Sequence, residues 1–306
     1  MASQKTALVT GTSKGGLGDY LAQELHRRGF RVFATARTPS KAQHLKDLGL
    51  DIILLDVTDS ESVKKAAGEV AALTGGRLDI LVNNAGIGDK AALLDADIAA
   101  AKSVFDVNIW AVLEVTQAFS PMLIAAKGTI INIGSIVARV PIPFNGIYNI
   151  SKAALEHLSR QMRVELGPFD IKVIHVSPPY QMKDSLPVLK RRQVVTGGIK
   201  TDFFAHSGEP KLPENSYYFP ARHSLGAWMN GSAQEVLQTT PPDQYAKHVI
   251  DNALSPYSTS CQYTGYGSFA TWFFSKVLWN NATDILLRFM KLPNMKQAIL
   301  GNKKEA

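Results

Sequence analysis

The chain has 306 residues, 45% hydrophobic and 19% charged, enough apolar mass for a core, which excludes wholesale disorder and fibrous repeats. Lys plus Arg number 33 against 26 Asp plus Glu, a net charge of +7. That balance suits an anionic ligand or a membrane surface, whereas nucleic acid as a partner would need a dense basic stripe that the sequence does not carry. Cys261 is the single cysteine, so an internal disulfide is excluded, and it has no companions at metal-ligand spacing. No apolar run of signal-peptide length precedes the first apolar segment, so the expected location is cytoplasmic.

Taken in chain order, short apolar runs alternate with helical patterns. Ala7-Leu8-Val9 leads into a Gly-rich turn from Gly11 to Gly18, then a helix with Leu21 and Leu25 that stops at Gly29. Further runs follow at Arg31–Ala34, Ile52–Leu55, Ile80–Val82, Thr129–Ile133 and Ile171–Ile174, with a polar helix predicted from Ser60 to Leu73. Continuous β-branched runs separated by helices predict βαβ units around a parallel sheet covered on both faces, a doubly wound α/β fold. After about Asp202 the rhythm breaks, and the aromatic-rich end from Phe269 to Leu292 reads as one or two helices.

The first turn, Thr10-Gly11-Thr12-Ser13-Lys14-Gly15-Gly16-Leu17-Gly18, lies between a predicted strand and a predicted helix. Glycines there let a backbone approach a pyrophosphate seated at a helix N-terminus. The second strand ends in Ala36-Arg37-Thr38, without the carboxylate that would hold an NAD ribose. Arg37 and Lys14 are instead candidate partners for the 2′-phosphate of NADP. Tyr148 and Lys152, four apart, share a helix face. Ser135 and Asn83-Asn84-Ala85-Gly86 each follow an apolar run, at the strand ends where open parallel sheets bind ligands.

The set Thr10-Gly11, Gly16-Leu17-Gly18, Asp56-Val57, Asn83 to Gly86, Asn108, Ser135, Tyr148-x-x-x-Lys152 and Thr196-Gly197 with Thr201 resembles the short-chain dehydrogenase/reductases over roughly residues 5–205. The resemblance implies a Rossmann-type sheet, NADP(H) as cofactor and oxidoreduction at a CH–OH/C=O centre. It implies Tyr148 as general acid or base, Lys152 as its electrostatic partner and ribose contact, and Ser135 as donor to the carbonyl oxygen. Asn108 would position a water that feeds protons to Lys152. Cofactor contacts would come from Gly11, Thr12, Ser13, Lys14, Gly16, Leu17, Gly18, Arg37, Asp56, Val57, Asn84, Gly86, Tyr148, Lys152, Gly197, Ile199 and Thr201. Asp56 would meet the adenine amine; no metal is implied.

Within the family the chain is similar to fungal NADPH-dependent acyl-dihydroxyacetone-phosphate reductases and their relatives, through Leu212-Pro213-Glu214, Tyr217, Pro220, Pro242-x-x-Tyr245-Ala246-Lys247 and the aromatic tail. The expected substrate is a small hydrophobic ketone or alcohol. Two assignments compete, a secondary-metabolite ketoreductase and a lipid-pathway reductase, with an inactive nucleotide-binding scaffold as a third reading of another class. A homo-oligomer is expected from the same resemblance.

Two departures stand out. The glycine loop has one residue more than the family pattern, and residues 176–193 interrupt the expected passage from strand to Thr196-Gly197. That insert reads either as a lid over the cleft or as a retained intron, since Val176-Ser177 and Gln193 can be encoded by splice-site-like codons. His175 and His206 read as satisfied structural histidines. The expected division is a nucleotide-binding domain over residues 1–262 and a helical extension over 263–306. From Lys276 onward six basic residues face two acidic ones, and with the aromatics this suits peripheral contact with an endoplasmic-reticulum or lipid-droplet membrane.

Overall fold

The computed structural model describes residues 4–139, 141, 143–177, 198–199, 212–222, 239–258 and 260–263. Each short β-branched run forms a strand: β1 (Thr6–Val9), β2 (Arg31–Ala36), β3 (Asp51–Leu54), β4 (Ile80–Asn83), β5 (Thr129–Ile133) and β6 (Lys172–Ser177). Parallel neighbours cannot be joined by a tight turn, so helices supply the crossovers. These are α1 (Leu17–Arg27), α2 (Gln43–Asp47), α3 (Ser60–Thr74), α4 (Ile98–Phe105), α5 (Ala111–Ala126) and α6 (Gly146–Leu166). A two-residue pair, β7 (Gly198–Ile199) with β8 (Thr239–Thr240), precedes α7 (Pro242–Leu254) and β9 (Cys261–Tyr263). The main sheet has the order β3-β2-β1-β4-β5-β6-β9, and all its pairings are parallel.

Alternation along the strands divides the core into two layers. Ile130 of β5 points to the face covered by α3, α5 and α6, while Ile131 and Ile133 point to the face covered by α1 and α7. Polar groups interrupt the first layer in an ordered way. Asn83 and Asn132 are register neighbours; Asn83 Nδ2 donates to Asn132 Oδ1 at 2.9 Å, and Asn132 Nδ2 donates to Ser159 Oγ of α6 at 2.9 Å. The ladder ties two strands, β4 and β5, to α6, the helix that carries Tyr148 and Lys152. Strand order reverses between β1 and β4, and the loops leaving those two strands are the Gly11–Gly18 turn and the Asn83–Gly86 segment. Fold physics therefore places the cleft where the motifs lie.

The structure moves one boundary and adds one strand. β6 continues through Ser177, with Val176 paired to Gln262 and Ser177 to Tyr263, so the first two residues of the expected insert belong to the sheet. β9 was not anticipated: three residues with a central Gln carry no strand pattern, and the pairing with β6 creates it. β9 runs to Tyr263, one residue beyond the expected division at 262. The rest of the insert, Thr196, Gly197, Thr201, His206 and the tail after Tyr263 lie outside the described residues.

Candidate active site

The Gly loop is fastened to the β4 loop before any ligand is considered. Thr10 Oγ1 accepts the amides of Asn84 and Ala85 at 2.9 and 3.0 Å, and Asn84 Nδ2 donates back to the carbonyls of Thr10 and Gly11, both at 2.9 Å. Close approach dictates glycine at 18, where a Cβ would stand 2.4 Å from both Asn84 Nδ2 and the Gly11 carbonyl oxygen. The additional loop residue is absorbed at Gly15, whose φ of +78° is open to glycine, while Gly16 has an ordinary extended conformation. Asp19 stabilises this path: its carboxylate accepts the Gly15 amide at 2.9 Å and is also bonded to Gln23 and to His44 Nε2.

No side chain caps α1 at Gly16, which leaves its N-terminal backbone donors and dipole facing the loop, the arrangement that receives phosphate. Thr12 anchors the loop to β2 through its amide and hydroxyl, both donating to the Thr35 carbonyl. Ser13, Lys14 and Arg37 are exposed, and the Lys14 amide donates to the Lys41 carbonyl at 3.1 Å. The structure thus sets the Lys41 backbone against Lys14, one of the two expected cations. Neither Lys41 nor the Asp19–His44 pair was singled out by spacing, because both depend on the β2–α2 turn folding back onto the loop. Asp56 Oδ1 accepts the amide and hydroxyl of Thr58; the amide bond, with the hydroxyl and nearby Arg37 assisting, holds its carboxyl below the ordinary range. Val57 is buried in the α3–α5 layer. The loop, the uncapped helix and the cations beyond β2 fit a dinucleotide carrying a 2′-phosphate. Farther along, Ile199 pairs with Thr240 in the β7–β8 ladder.

The four catalytic candidates converge at the ends of β4 and β5. Tyr148 and Lys152 lie one turn apart on α6, both buried, with Lys152 Nζ 5.7 Å from the Tyr148 ring centre. Lys152 donates to the Ile133 carbonyl at 2.9 Å. Asn108 sits in a π-helical turn, Asp106–Trp110, joining α4 to α5. Its amide exchanges two hydrogen bonds of 2.9 Å with the backbone of Ile87 and donates to Ser151 at 3.0 Å. A Cβ at Gly86 would be 3.1 Å from Asn108 Oδ1 and 3.7 Å from Lys152 Nζ, so that glycine is the floor shared by both groups.

Electrostatics here is governed by burial. Burial pushes the Tyr148 phenol upward, and a hydrogen bond with Ser135 offsets part of that rise. Burial lowers Lys152 to about 8 by penalising its ammonium form. Among the described residues the ring of His175 is only half satisfied, in contrast to the satisfied histidine expected from sequence: Nδ1 meets Ser159 Oγ at 3.2 Å, and buried Nε2 has no hydrogen-bond partner there.

A family model described as short chain dehydrogenase matches residues 5–186. The chain is a short-chain dehydrogenase/reductase. It is 36% identical over 303 residues to the short-chain dehydrogenase virD of Hypocrea virens, covering 99% of this chain and 98% of that protein. It is 40% identical over 226 residues to an NADPH-dependent 1-acyldihydroxyacetone phosphate reductase of Schizosaccharomyces pombe, covering 72% of this chain and 70% of the relative. A short chain dehydrogenase from Burkholderia cenocepacia solved in complex with NADP superposes with a TM-score of 0.68 at 25% identity, covering 93% of this chain and 98% of that one. The enzyme is an oxidoreductase acting at CH–OH/C=O centres with NADP(H).

If Lys14 and Arg37 hold the 2′-phosphate, the Lys14→Ala/Arg37→Ala double variant will weaken NADPH binding by about tenfold or more, from the usual strength of charge-assisted hydrogen bonds. NADH binding will stay within about twofold, since it lacks that phosphate. Fluorescence titration with each nucleotide reads the difference; equal losses for both would remove the assignment.

Proposed function

We propose that this enzyme reduces a hydrophobic ketone to a secondary alcohol with NADPH, as a ketoreductase of fungal secondary metabolism. The observation that carries the reading is an apolar cluster beside the catalytic helix. Phe144, four residues before Tyr148, holds a φ of +63°, a costly conformation for an aromatic residue and one found at functional sites. Its ring meets Tyr218 edge to face at 5.7 Å, and Ala92, Ala221 and Leu212 complete the cluster. Ser216 Oγ donates to Asp95 at 2.6 Å, which ties the 212–222 segment to the loop before α4. An apolar wall at this position suits a ketone flanked by hydrocarbon rather than by a charged headgroup.

NADPH, when bound, supplies the hydride. Tyr148 gives its proton to the carbonyl oxygen, and the Ser135 hydroxyl stabilises charge developing there. Lys152, more acidic than the phenol, returns the proton, with Asn108 and the Gly86 floor bounding the path. The order of acidities, set by burial, favours transfer in that direction. An acyl-dihydroxyacetone-phosphate reductase is the second reading, supported by the similarity to the Schizosaccharomyces pombe relative. The complete set of Asn108, Ser135, Tyr148 and Lys152 argues against an inactive scaffold.

We also propose that a second copy of the chain covers the α4 and π-turn face, where Ile98 and Trp110 are exposed around Phe105, and that the tail after Tyr263 makes peripheral membrane contact. The apolar stretch Ile98–Ala126 has the length and composition of a membrane span, yet nearly half of it is buried inside the protein, so membrane contact is assigned to the tail. Sedimentation with and without liposomes tests both ideas. Trp110→Glu is expected to yield monomer, and a chain ending at Tyr266 to lose flotation; an unchanged dimer, or equal flotation, would sink the respective proposal.

NADPH consumption with acetophenone, benzil and acyl-dihydroxyacetone phosphate tests the main reading. Tyr148→Phe is expected to lower kcat at least a hundredfold, in line with the loss of a positioned proton donor. Faster turnover of the phosphate ester than of either aryl ketone would favour the lipid assignment, and an unaffected Tyr148→Phe would remove Tyr148 as the acid. The pH profile follows from Lys152. Its ammonium is present below about 8 and lost above it, so kcat/KM for reduction should fall as pH rises through about 8. An unshifted lysine would hold the rate to about pH 10, and a profile flat to that point would contradict the role.

A further inference from the structure

Ser135 and the Tyr148/Lys152 pair reach the cleft from different directions. Ser135 lies two residues beyond β5 and caps the single 3-10 turn Ile136–Ala138, accepting the Val137 amide at 3.4 Å. Tyr148 and Lys152 arrive on α6 after an intervening loop. Something has to fix the turn against the helix, because misplacing a catalytic donor by an ångström costs about a hundredfold in rate.

We propose that Arg139 and Glu156 form a positioning clamp that sets the Ser135 turn against the catalytic helix. Arg139 closes the 3-10 turn, and Glu156 lies one helical turn past Lys152 on α6. The guanidinium engages both carboxylate oxygens, Nε to Oε2 at 3.1 Å and Nη2 to Oε1 at 2.5 Å. Arg160 adds a second contact to Oε1 from the solvent side. The clamping side chains are 15% and 9% exposed, whereas that of Arg160 is 53% exposed. Burial alone would raise the Glu156 carboxyl; the bonds and charge of Arg139 outweigh it and hold the group below its ordinary range, so the pair is ionised. A buried ion pair seldom repays its desolvation as net stability. Two parallel bonds in one plane do fix distance and angle, which a packed apolar pair would not.

The other side of the turn is seated on His175. A Cβ at Gly134, the residue before Ser135, would lie 2.3 Å from both Cε1 and Nε2 of that ring. Ser159 gives its proton to the Leu155 carbonyl at 2.7 Å, so its oxygen accepts from His175 Nδ1, and the ring is the neutral tautomer protonated there. Burial holds the imidazole at about 4, which keeps it uncharged beneath the turn. Gly134 in turn donates its amide to the Val176 carbonyl at 2.7 Å. The turn is therefore held by a rigid ring at its start and by the ion pair at its end. Arg139 and Glu156 are positioning residues: they act through Ser135.

The test uses the full chain and rests on the ketone-reduction reading for one of its two readouts. The first is kcat in Arg139→Lys and Glu156→Gln with benzil or acetophenone, normalised to sites counted by NADPH titration so that a poorly folded fraction drops out. Arg139→Lys keeps the charge and loses the fork. Both are expected to lower kcat at least tenfold while NADPH affinity stays within twofold. In a Ser135→Ala background the same substitutions should cost less than twofold, because the group they position is gone. Losses that multiply in the double variants would mean an effect independent of Ser135 and would overturn the proposal. The second readout needs no turnover: amide hydrogen exchange over residues 134–139 should accelerate at least tenfold in both variants, while residues 83–86 keep the parent rate. Unchanged exchange over 134–139 would equally overturn it, whatever the fate of the ketone assignment.

Discussion

Thr10 uses its hydroxyl fully. It donates to the Val82 carbonyl and accepts the amides of Asn84 and Ala85, while the Asn84 side chain returns two bonds to the Thr10 and Gly11 carbonyls. This weld joins the loop after β1 to the loop after β4 at the point where strand order reverses. Much of the site is a consequence of that spacing. With the two loops drawn together, position 18 has no room for a side chain, and α1 begins with its amide end turned to the cleft. On the other side of the same segment, Gly86 is brought within a side chain's width of Asn108 and Lys152. The loop that would receive phosphate and the Asn108–Lys152 floor are therefore parts of one hydrogen-bonded object, so a dinucleotide held by the first would reach toward the second.

The chemistry draws on the same compactness. Water exclusion moves the two ionisable groups apart, the phenol upward and the lysine down to about 8. Free in water their affinities for a proton nearly coincide. Separated in this direction, they suit the proposed reaction, in which a phenolate at Tyr148 would recover its proton from Lys152. The expectation from sequence was that the Lys152 charge would favour phenolate. Here burial is the larger influence on Tyr148, and Ser135 is the group that pulls the phenol back. The lysine's contribution lies in its own lowered affinity and in its proximity.

The sheet, and the shared helix face of Tyr148 and Lys152, could be read from the sequence because both rest on local pattern. Continuous apolar strands have a signature, and a tyrosine and lysine four apart on a helix must share a face. What escaped was determined by folding back. β9 is a strand only through its pairing with β6, and its central Gln262 carries no strand signal. Lys41 and His44 reach the Gly loop through a turn whose path no periodicity encodes. Arg139 and Glu156 are 17 positions apart, on a 3-10 turn and a helix, with no spacing to mark them as a pair. The expected insert begins at Val176, because the family pattern passes almost directly from the strand to Thr196-Gly197 and Val176-Ser177 can be encoded by a splice-site-like sequence. In the fold His175 faces the α6 layer, with Nδ1 on Ser159, and the strand runs on through Ser177.

The two anchors of the site differ in kind. The Thr10–Asn84 weld consists of side-chain-to-backbone bonds at the sheet's switch point, each made by the Thr10 hydroxyl or the Asn84 amide. The Ser135 turn has no equivalent. It leaves an interior strand, its own bonds close a single turn, and a helix from elsewhere in the chain must meet it in register. A buried, bidentate ion pair is a costly way to secure stability but an effective way to secure direction, because its geometry has one optimum. The neutral ring of His175 supplies the opposing contact without adding a charge that would compete for Glu156. Directional bonds at Arg139 and Glu156 complement the Gly134–Val176 backbone bond at the start of the turn and keep Ser135 within reach of Tyr148.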